Sequence, residues 1–372
     1  MAQVATLPEQ KKQGWRTFST TQDNYNAATV QWPEKIEGPS VWDGKYLEKH
    51  PEEWVYQLNE AEIKEIDAAV KHFFTLNREL ITIDQESFPL PEFGKVLRRH
   101  REILLQGRGF TLIRGFPITS YKREEQAAVF MGIGTYLGYR KTQNAKGHVL
   151  GHVKDITIGS QTKSVYDEND PTTRIYATRK AQPFHVDGTD VVGLLCLQVS
   201  EEGGESSVIS SHTVYNRLKE LRPDIIELFK EGWHWDKKGE HGENDKPYLI
   251  APPMTYYENK LFTFYGPHFW ETVPRLGIDV SEEKFEAMKY VQELCEQEAL
   301  NMWLEIGDMQ FVHNHQLLHA RSSYRDSPEK TRHLLRLWLV VPTEEGGWEM
   351  PFAQREGVYF YNVDHSVPLE AE

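Results

Sequence analysis

A histidine and an aspartate two residues apart, His185-Val186-Asp187, followed far downstream by His319 and Arg332, could together do oxygen chemistry. Two imidazoles and one carboxylate hold one face of a ferrous ion and leave its other positions open to exchangeable ligands. A guanidinium beyond the last ligand can fix the distal carboxylate of an acidic cosubstrate through paired hydrogen bonds. The set points to non-haem iron.

A His-x-Asp triplet alone is weak evidence, because the chain carries another, His234-Trp235-Asp236, and a near miss at His241-Gly242-Glu243. Context separates them. On a strand, residues i and i+2 share a face, so His185 and Asp187 can chelate one ion while Val186 turns away. They lie in Gln182-Pro-Phe-His-Val-Asp-Gly188, just ahead of the apolar run Val191–Val199, at the expected end of a strand beside a core. His234 lies among Asp236, Lys237, Lys238 and Glu240, which reads as a solvated loop.

The third ligand comes from Phe311-Val-His-Asn-His-Gln-Leu-Leu-His-Ala-Arg321, which offers His313, His315 and His319. A hairpin centred on Arg325–Asp326 would set His319 opposite Arg332, and this favours His319. Arg332 and Arg336 border apolar residues of an expected core strand, where arginine is rarely placed without a partner. Arg332 is assigned to a cosubstrate carboxylate, and Arg336 to the same molecule or to a substrate anion. A competing pattern, His315-Gln-Leu-Leu-His319, has the spacing of a zinc-hydrolase helix, but Gln316 stands where the base would be and its flanks are strand-like. A non-catalytic jelly roll with a relict metal site is the other alternative.

The elements that must position these residues fall into two kinds. Asn59 with Glu62 has the form of a capping box, and Ile63, Ile66, Val70 and Phe73 follow at helical spacing. A second helix runs from Phe93 past Leu104 to Gly107, a strand covers Gly109–Arg114, and another helix spans Tyr121–Leu137. Beyond these, short runs dominate: Arg174–Ala177, Val191–Val199, Ser206–Ser210, Leu261–Tyr265, Met309–Val312 and Leu334–Val341. They predict an antiparallel jelly roll, interrupted by one helix from Ser281 to about Trp303. Trp15, Trp32, Trp42 and Trp54 suggest an irregular N-terminal wrap. The expected division is an N-terminal extension over 1–105, a jelly-roll domain over 106–345 and a tail over 346–372, all one structural unit.

A net charge of −14 argues against nucleic-acid binding, which wants a basic footprint. Two cysteines, Cys196 and Cys295, make no disulfide framework. With no apolar leader and no membrane-length apolar run, the expectation is a cytoplasmic protein in a reducing compartment that keeps iron ferrous.

In order along the chain, Leu112-Ile-Arg-Gly-Phe-Pro117, Gln143–Val153, Gln182–Gly188, Gly203-Gly-Glu-Ser-Ser207, Gly307–Phe311, Leu318-His-Ala-Arg321 and Arg332–Trp338 resemble the TauD/TfdA-like, or clavaminate synthase-like, iron(II)/2-oxoglutarate dioxygenases. The resemblance covers roughly residues 105–342. It implies a double-stranded β-helix core with flanking helices. It further implies Fe(II) held by His185, Asp187 and His319, with 2-oxoglutarate and dioxygen as cosubstrates. Arg332 matches the cosubstrate arginine, Ser206 matches a hydroxyl that helps hold the same carboxylate, and Arg336 matches a position that contacts cosubstrate or substrate anions. Ala181 departs from the polar residue that contacts taurine, which disfavours taurine. The expected reaction oxidises an unactivated C–H bond of a small carboxylate- or amino-acid-bearing molecule, releasing succinate and carbon dioxide. Hydroxylation, desaturation and cyclisation all remain open, and fungal relatives include an aziridine former. Oligomeric state is not legible.

Overall fold

The computed structural model describes residues 30–144, 146–157, 170–241, 246–349 and 365–371. Among the described residues no helix is long and apolar enough to cross a membrane. Two sheets form the centre. The strands of the larger are β1 (Val55–Gln57), β2 (Phe110–Arg114), β3 (Tyr139–Lys141), β4 (Leu150–Val153), β6 (Val191–Gln198), β9 (Met309–His313) and β11 (His333–Val340). Those of the smaller are β5 (Gln182–His185), β7 (Ser206–Ser210), β8 (Leu300–Met302) and β10 (Leu317–Arg321). The larger sheet runs β1-β2-β9-β6-β11-β3, with β4 also on β11, and the smaller runs β8-β7-β10-β5. All pairs are antiparallel except β1 with β2.

The alternation along β11 shows how the layers are made. Leu335, Leu337 and Leu339 point outward into an apolar cluster shared with three helices. Leu334 and Trp338 point inward, against Val208 and Leu317 of the facing sheet. The helices are α1 (Glu60–Thr75), α2 (Phe93–Gln106) and α3 (Arg123–Gly134). The Asn59 side chain accepts from the Ala61 and Glu62 N–H groups while Glu62 returns a bond to the Asn59 N–H, so the expected capping box starts α1. Ile66, Val70 and Phe73 then bury its apolar face. The outer face of the smaller sheet, Ile209 and Leu318, is covered by α4 (Ser211–Leu221) and α5 (Glu282–Glu298) through Val214, Leu218, Val291 and Leu294. Trp32, Trp42 and Trp54 anchor the N-terminal wrap, Trp42 by donating to the Arg108 carbonyl at 3.0 Å; Trp15 lies outside the described residues.

Four local expectations are corrected. The long helix stops at Glu298 and not near Trp303, because Leu300 and Met302 gain more by entering the smaller sheet as edge strand β8 and burying between the layers. Arg174–Ala177 is no strand; Ile175–Ala177 makes a single 3-10 turn. Trp233–Asp236 is no solvated loop; it pairs with Tyr248–Ala251, and both tryptophans are 1% exposed. The Arg325–Asp326 hairpin does not form. β10 and β11 belong to different sheets, Tyr324–Arg325 pairs with Glu202–Gly203, and the Asp326 carboxylate accepts the Arg332 backbone N–H at 3.0 Å.

One buried carboxylate locks the turns that carry the site. Asp190 is 3% exposed; its Oδ1 accepts from His315 Nε2 at 2.8 Å and its Oδ2 from the Val341 N–H at 2.8 Å. Its carbonyl accepts the Asn314 N–H at 2.9 Å, and the Asn314 side chain accepts the Asp187 N–H at 3.2 Å. The segment after β5, the β9–β10 turn and the end of β11 therefore meet on one residue. Asp190→Ala should cost about 3–5 kcal/mol, since it strands buried donors on two elements; denaturant unfolding of the metal-free protein measures this, and Asp190→Asn should recover part of it.

Burial also holds several histidines neutral: desolvation pulls His100 and His212 down to about 4 and His333 to about 3. Below the unfolded value near 6.5 the unfolded chain takes up protons these rings refuse, so stability is full above that pH and falls between it and the folded values. Unfolding free energy should decline by about 1.4 kcal/mol per pH unit for each such ring between pH 6 and pH 4, and His212→Gln should flatten the slope.

Candidate metal and anion site

Strand pairing brings together the three residues that the sequence separates. His185 ends β5 and His319 lies in β10 directly opposite it in the ladder. Val186 turns away into the outer apolar cluster, its N–H donating to the Tyr265 carbonyl at 2.8 Å, which leaves His185 and Asp187 on the inner face. Ligand atoms of His185, Asp187 and His319 all lie within 4.8 Å of one another, the one such group of histidine, cysteine and acidic side chains among the described residues. The two imidazole rings are 4.2 Å apart at their centroids.

The electrostatics suit a cation. Burial pulls His185 down and His319 to about 3, so both rings are neutral and each has one nitrogen with a lone pair to offer. Burial opposes charge on Asp187 as well, but the Arg336 guanidinium, helped by the Trp338 hydrogen bond, holds the carboxyl well below its ordinary value. Asp187 Oδ2 accepts from Trp338 Nε1 at 3.0 Å and from Arg336 Nη1 at 3.2 Å, which turns Oδ1 toward His185 Nε2, 3.8 Å away. His185 Nδ1 faces the Pro183 carbonyl at 2.9 Å, leaving Nε2 as the acceptor, to which the Gln182 amide donates at 2.8 Å. His319 Nδ1 is sealed without a hydrogen-bond partner. Two neutral imidazoles, one ionised carboxylate and an orphaned ring nitrogen fit a divalent ion of borderline softness.

Beside the triad opens a cavity, partly continuous with solvent, walled by Tyr176, Trp235, Phe264, Phe269 and Trp338. Arg336 reaches into it from β11. Its Nε donates to Gln143 Oε1 at 2.7 Å, and its guanidinium lies 4.7 Å from the Tyr176 ring and 5.1 Å from that of Trp338. The expected anion-binding arginine thus braces the carboxylate ligand. His268, also on the wall, sits edge-on 5.2 Å from His185; its Nδ1 is sealed without a partner and burial drives it well below its ordinary pKa. Sequence reasoning missed Trp338, His268 and the bracing role of Gln143. Gln143 lies in a family-like motif, but only the fold shows that its amide meets β11.

Arg332 stands just before β11, 4% exposed, and its guanidinium makes no hydrogen bond among the described residues. Burial lowers its pKa. Ser206, 5% exposed, opens β7 opposite Arg321 of β10. Two decoys resolve. Asp236 is committed to Arg275 through bonds of 2.6 and 2.7 Å, and His234 packs on Tyr248. His315 is committed to Asp190, and His319 lies on a strand, so the zinc-hydrolase helix is absent. Of the near miss, Gly242 and Glu243 lie outside the described residues.

Known proteins resemble this chain in sequence and in fold. The family described as taurine catabolism dioxygenase TauD, TfdA family matches residues 74–338. A taurine hydroxylase-like protein of Stachybotrys chartarum is 32% identical over 327 residues, 85% of this chain and 82% of that one. An FR-33289 synthase of Streptomyces rubellomurinus is 29% identical over 324 residues, 85% of this chain and 92% of that one. Among solved structures, asparagine oxygenase with Fe(II), hydroxyasparagine and succinate superimposes with a TM-score of 0.59 at 15% identity, covering 77% of this chain and 93% of that one. The non-heme iron oxygenase OrfP with iron and alpha-ketoglutaric acid gives 0.56 at 17% identity, covering 77% and 94%. The jelly-roll core, the family match across most of the chain and the extended likeness to the fungal relative make one conclusion: the chain belongs to the TauD/TfdA family and is a non-haem iron dioxygenase that uses Fe(II), 2-oxoglutarate and dioxygen.

Proposed function

We propose that this enzyme oxidises a C–H bond of a small molecule bearing a carboxylate or amino-acid group, with His185, Asp187 and His319 as the iron ligands and Arg332 and Ser206 holding the distal carboxylate of 2-oxoglutarate. The observation that carries the reading is a ligand set of two neutral imidazoles and one carboxylate, together with a buried arginine just before β11 whose Nη1 has no hydrogen-bond partner. Bound iron supplies the coupling of 2-oxo acid decarboxylation, to succinate and carbon dioxide, with oxygen activation. The chain's own residues do the positioning. Trp338 and Arg336 fix one oxygen of Asp187 and leave the other for the ion, while the aromatic wall excludes water and holds the substrate. Arg336, exposed to the cavity as well as bound to Asp187, is the group a substrate carboxylate or the near end of the 2-oxo acid would meet.

Asparagine and hydroxyarginine appear in the solved neighbours, so amino acids are the first class to try. Hydroxylation, desaturation and cyclisation begin with the same hydrogen removal, and the product distinguishes them. The reaction belongs in a reducing compartment such as the cytoplasm, which keeps iron ferrous and suits the two buried free thiols.

Anaerobic Fe(II) plus 2-oxoglutarate should produce a weak visible charge-transfer band; His185→Ala and Asp187→Ala should abolish it, and His234→Ala should leave it intact. A band that survives both ligand substitutions would remove the assignment. Screening L-amino acids and simple carboxylic acids should then find compounds that raise succinate release about tenfold or more over the substrate-free rate. Gln143→Ala should lower both the stimulated and the unstimulated rate, because it loosens Arg336 beside the substrate and beside Asp187.

A further inference from the structure

Beyond the end of β10, more buried donors stand unpaired than one arginine explains. Arg321 Nη1, Arg332 Nη1 and Tyr324 Oη are all sealed from solvent with no hydrogen-bond partner, on residues 5%, 4% and 6% exposed. They form one cluster. The guanidinium carbons of Arg321 and Arg332 lie 4.8 and 5.3 Å from the centre of the same Tyr324 ring. Arg321 is paired directly with Ser206 across the β7–β10 ladder, so the two side chains share the face that carries His319 two residues earlier. Gly204, at φ +81°, borders Arg332; a Cβ there would come within 2.9 Å of its Nε.

We propose that Arg321 and Tyr324 join Arg332 and Ser206 in a single anion cradle that reads the distal carboxylate of a dicarboxylate cosubstrate. The inference rests on the 2-oxoglutarate reading above and deepens it: the selective end is built from two guanidiniums and a phenol. Arg321 spends its Nε on the Ser322 carbonyl and its Nη2 on the carbonyls of Thr178 and Lys180, which explains part of the residue as a backbone tie. That tie accounts for neither its third nitrogen nor the Tyr324 hydroxyl. Two buried like charges repel, and the nearby Asp326 carboxylate is used on a backbone N–H of Arg332 and not on its guanidinium. A carboxylate offers about four lone-pair sites, enough to satisfy the three orphans and the Ser206 hydroxyl. It also adds negative charge to that of Asp155 and Asp326, which act on the cluster without hydrogen-bonding the orphaned nitrogens. A monocarboxylic 2-oxo acid such as pyruvate could engage the metal end but would leave the cradle empty.

The test uses the Fe(II)-loaded protein without oxygen, titrated with 2-oxoglutarate and with pyruvate by the charge-transfer band, and the metal-free protein with succinate by thermal shift. Tyr324→Phe should weaken 2-oxoglutarate about five- to tenfold and Arg321→Met about a hundredfold, and both should shrink the succinate shift. Pyruvate should titrate alike in wild type and variants. A Tyr324→Phe protein with the wild-type melting temperature and wild-type affinity for 2-oxoglutarate and succinate would overturn the cradle, and so would an equal loss for pyruvate. If Arg321→Met does not fold, Tyr324→Phe alone decides. A wild type that shows no band with 2-oxoglutarate would instead take down the underlying assignment of the cosubstrate.

Discussion

The site depends on keeping Asp187 ionised inside the barrel. A carboxylate buried beside two imidazoles would rather take a proton than stay charged. Arg336, set over two aromatic rings and braced by Gln143, removes that option and also decides which oxygen is free. Trp338 adds a second donor to the same oxygen. Because Trp338 and Arg336 alternate with the outward leucines of β11, the charge state of a loop residue on one sheet is set by the inward face of a strand on the other.

The β-rich core and the placing of His185 and Asp187 on one face were legible because they depend on local pattern. Apolar runs of strand length predicted β6, β7, β9 and β11, and a His-x-Asp next to such a run predicted a pair of side chains aimed the same way. What was not legible is non-local. The hairpin that favoured His319 does not exist, yet His319 does lie beside His185 and Asp187: its partner is His185 across the smaller sheet, and Arg332 lies in the other layer. Residues 300–304 continue an apolar pattern that a helix could carry, and only the open edge of β7 turns them into strand. The neighbours of His234 look solvated in sequence, yet Asp236 is buried because Arg275, 39 residues away, neutralises it.

His315 shows the same limit from another side. Its spacing to His319 mimics a zinc helix, and nothing local reveals that Asp190 holds it. The distinction between a ligand and a strut lies in which acid each histidine faces.

β10 carries His319 and Arg321 on one face, and its two neighbours treat that pair differently. Against β7 the ladder is unbroken, with His319 opposite Val208 and Arg321 opposite Ser206. Against β5 it slips between them, with His319 opposite His185 and Arg321 opposite Gln182. Sliding β10 by a single residue would present Leu318 and Ala320 in their place and withdraw the imidazole and the guanidinium together. The pairing with β7 therefore fixes two side chains of opposite chemical use in one step, and no substitution on the cavity wall can move one without the other.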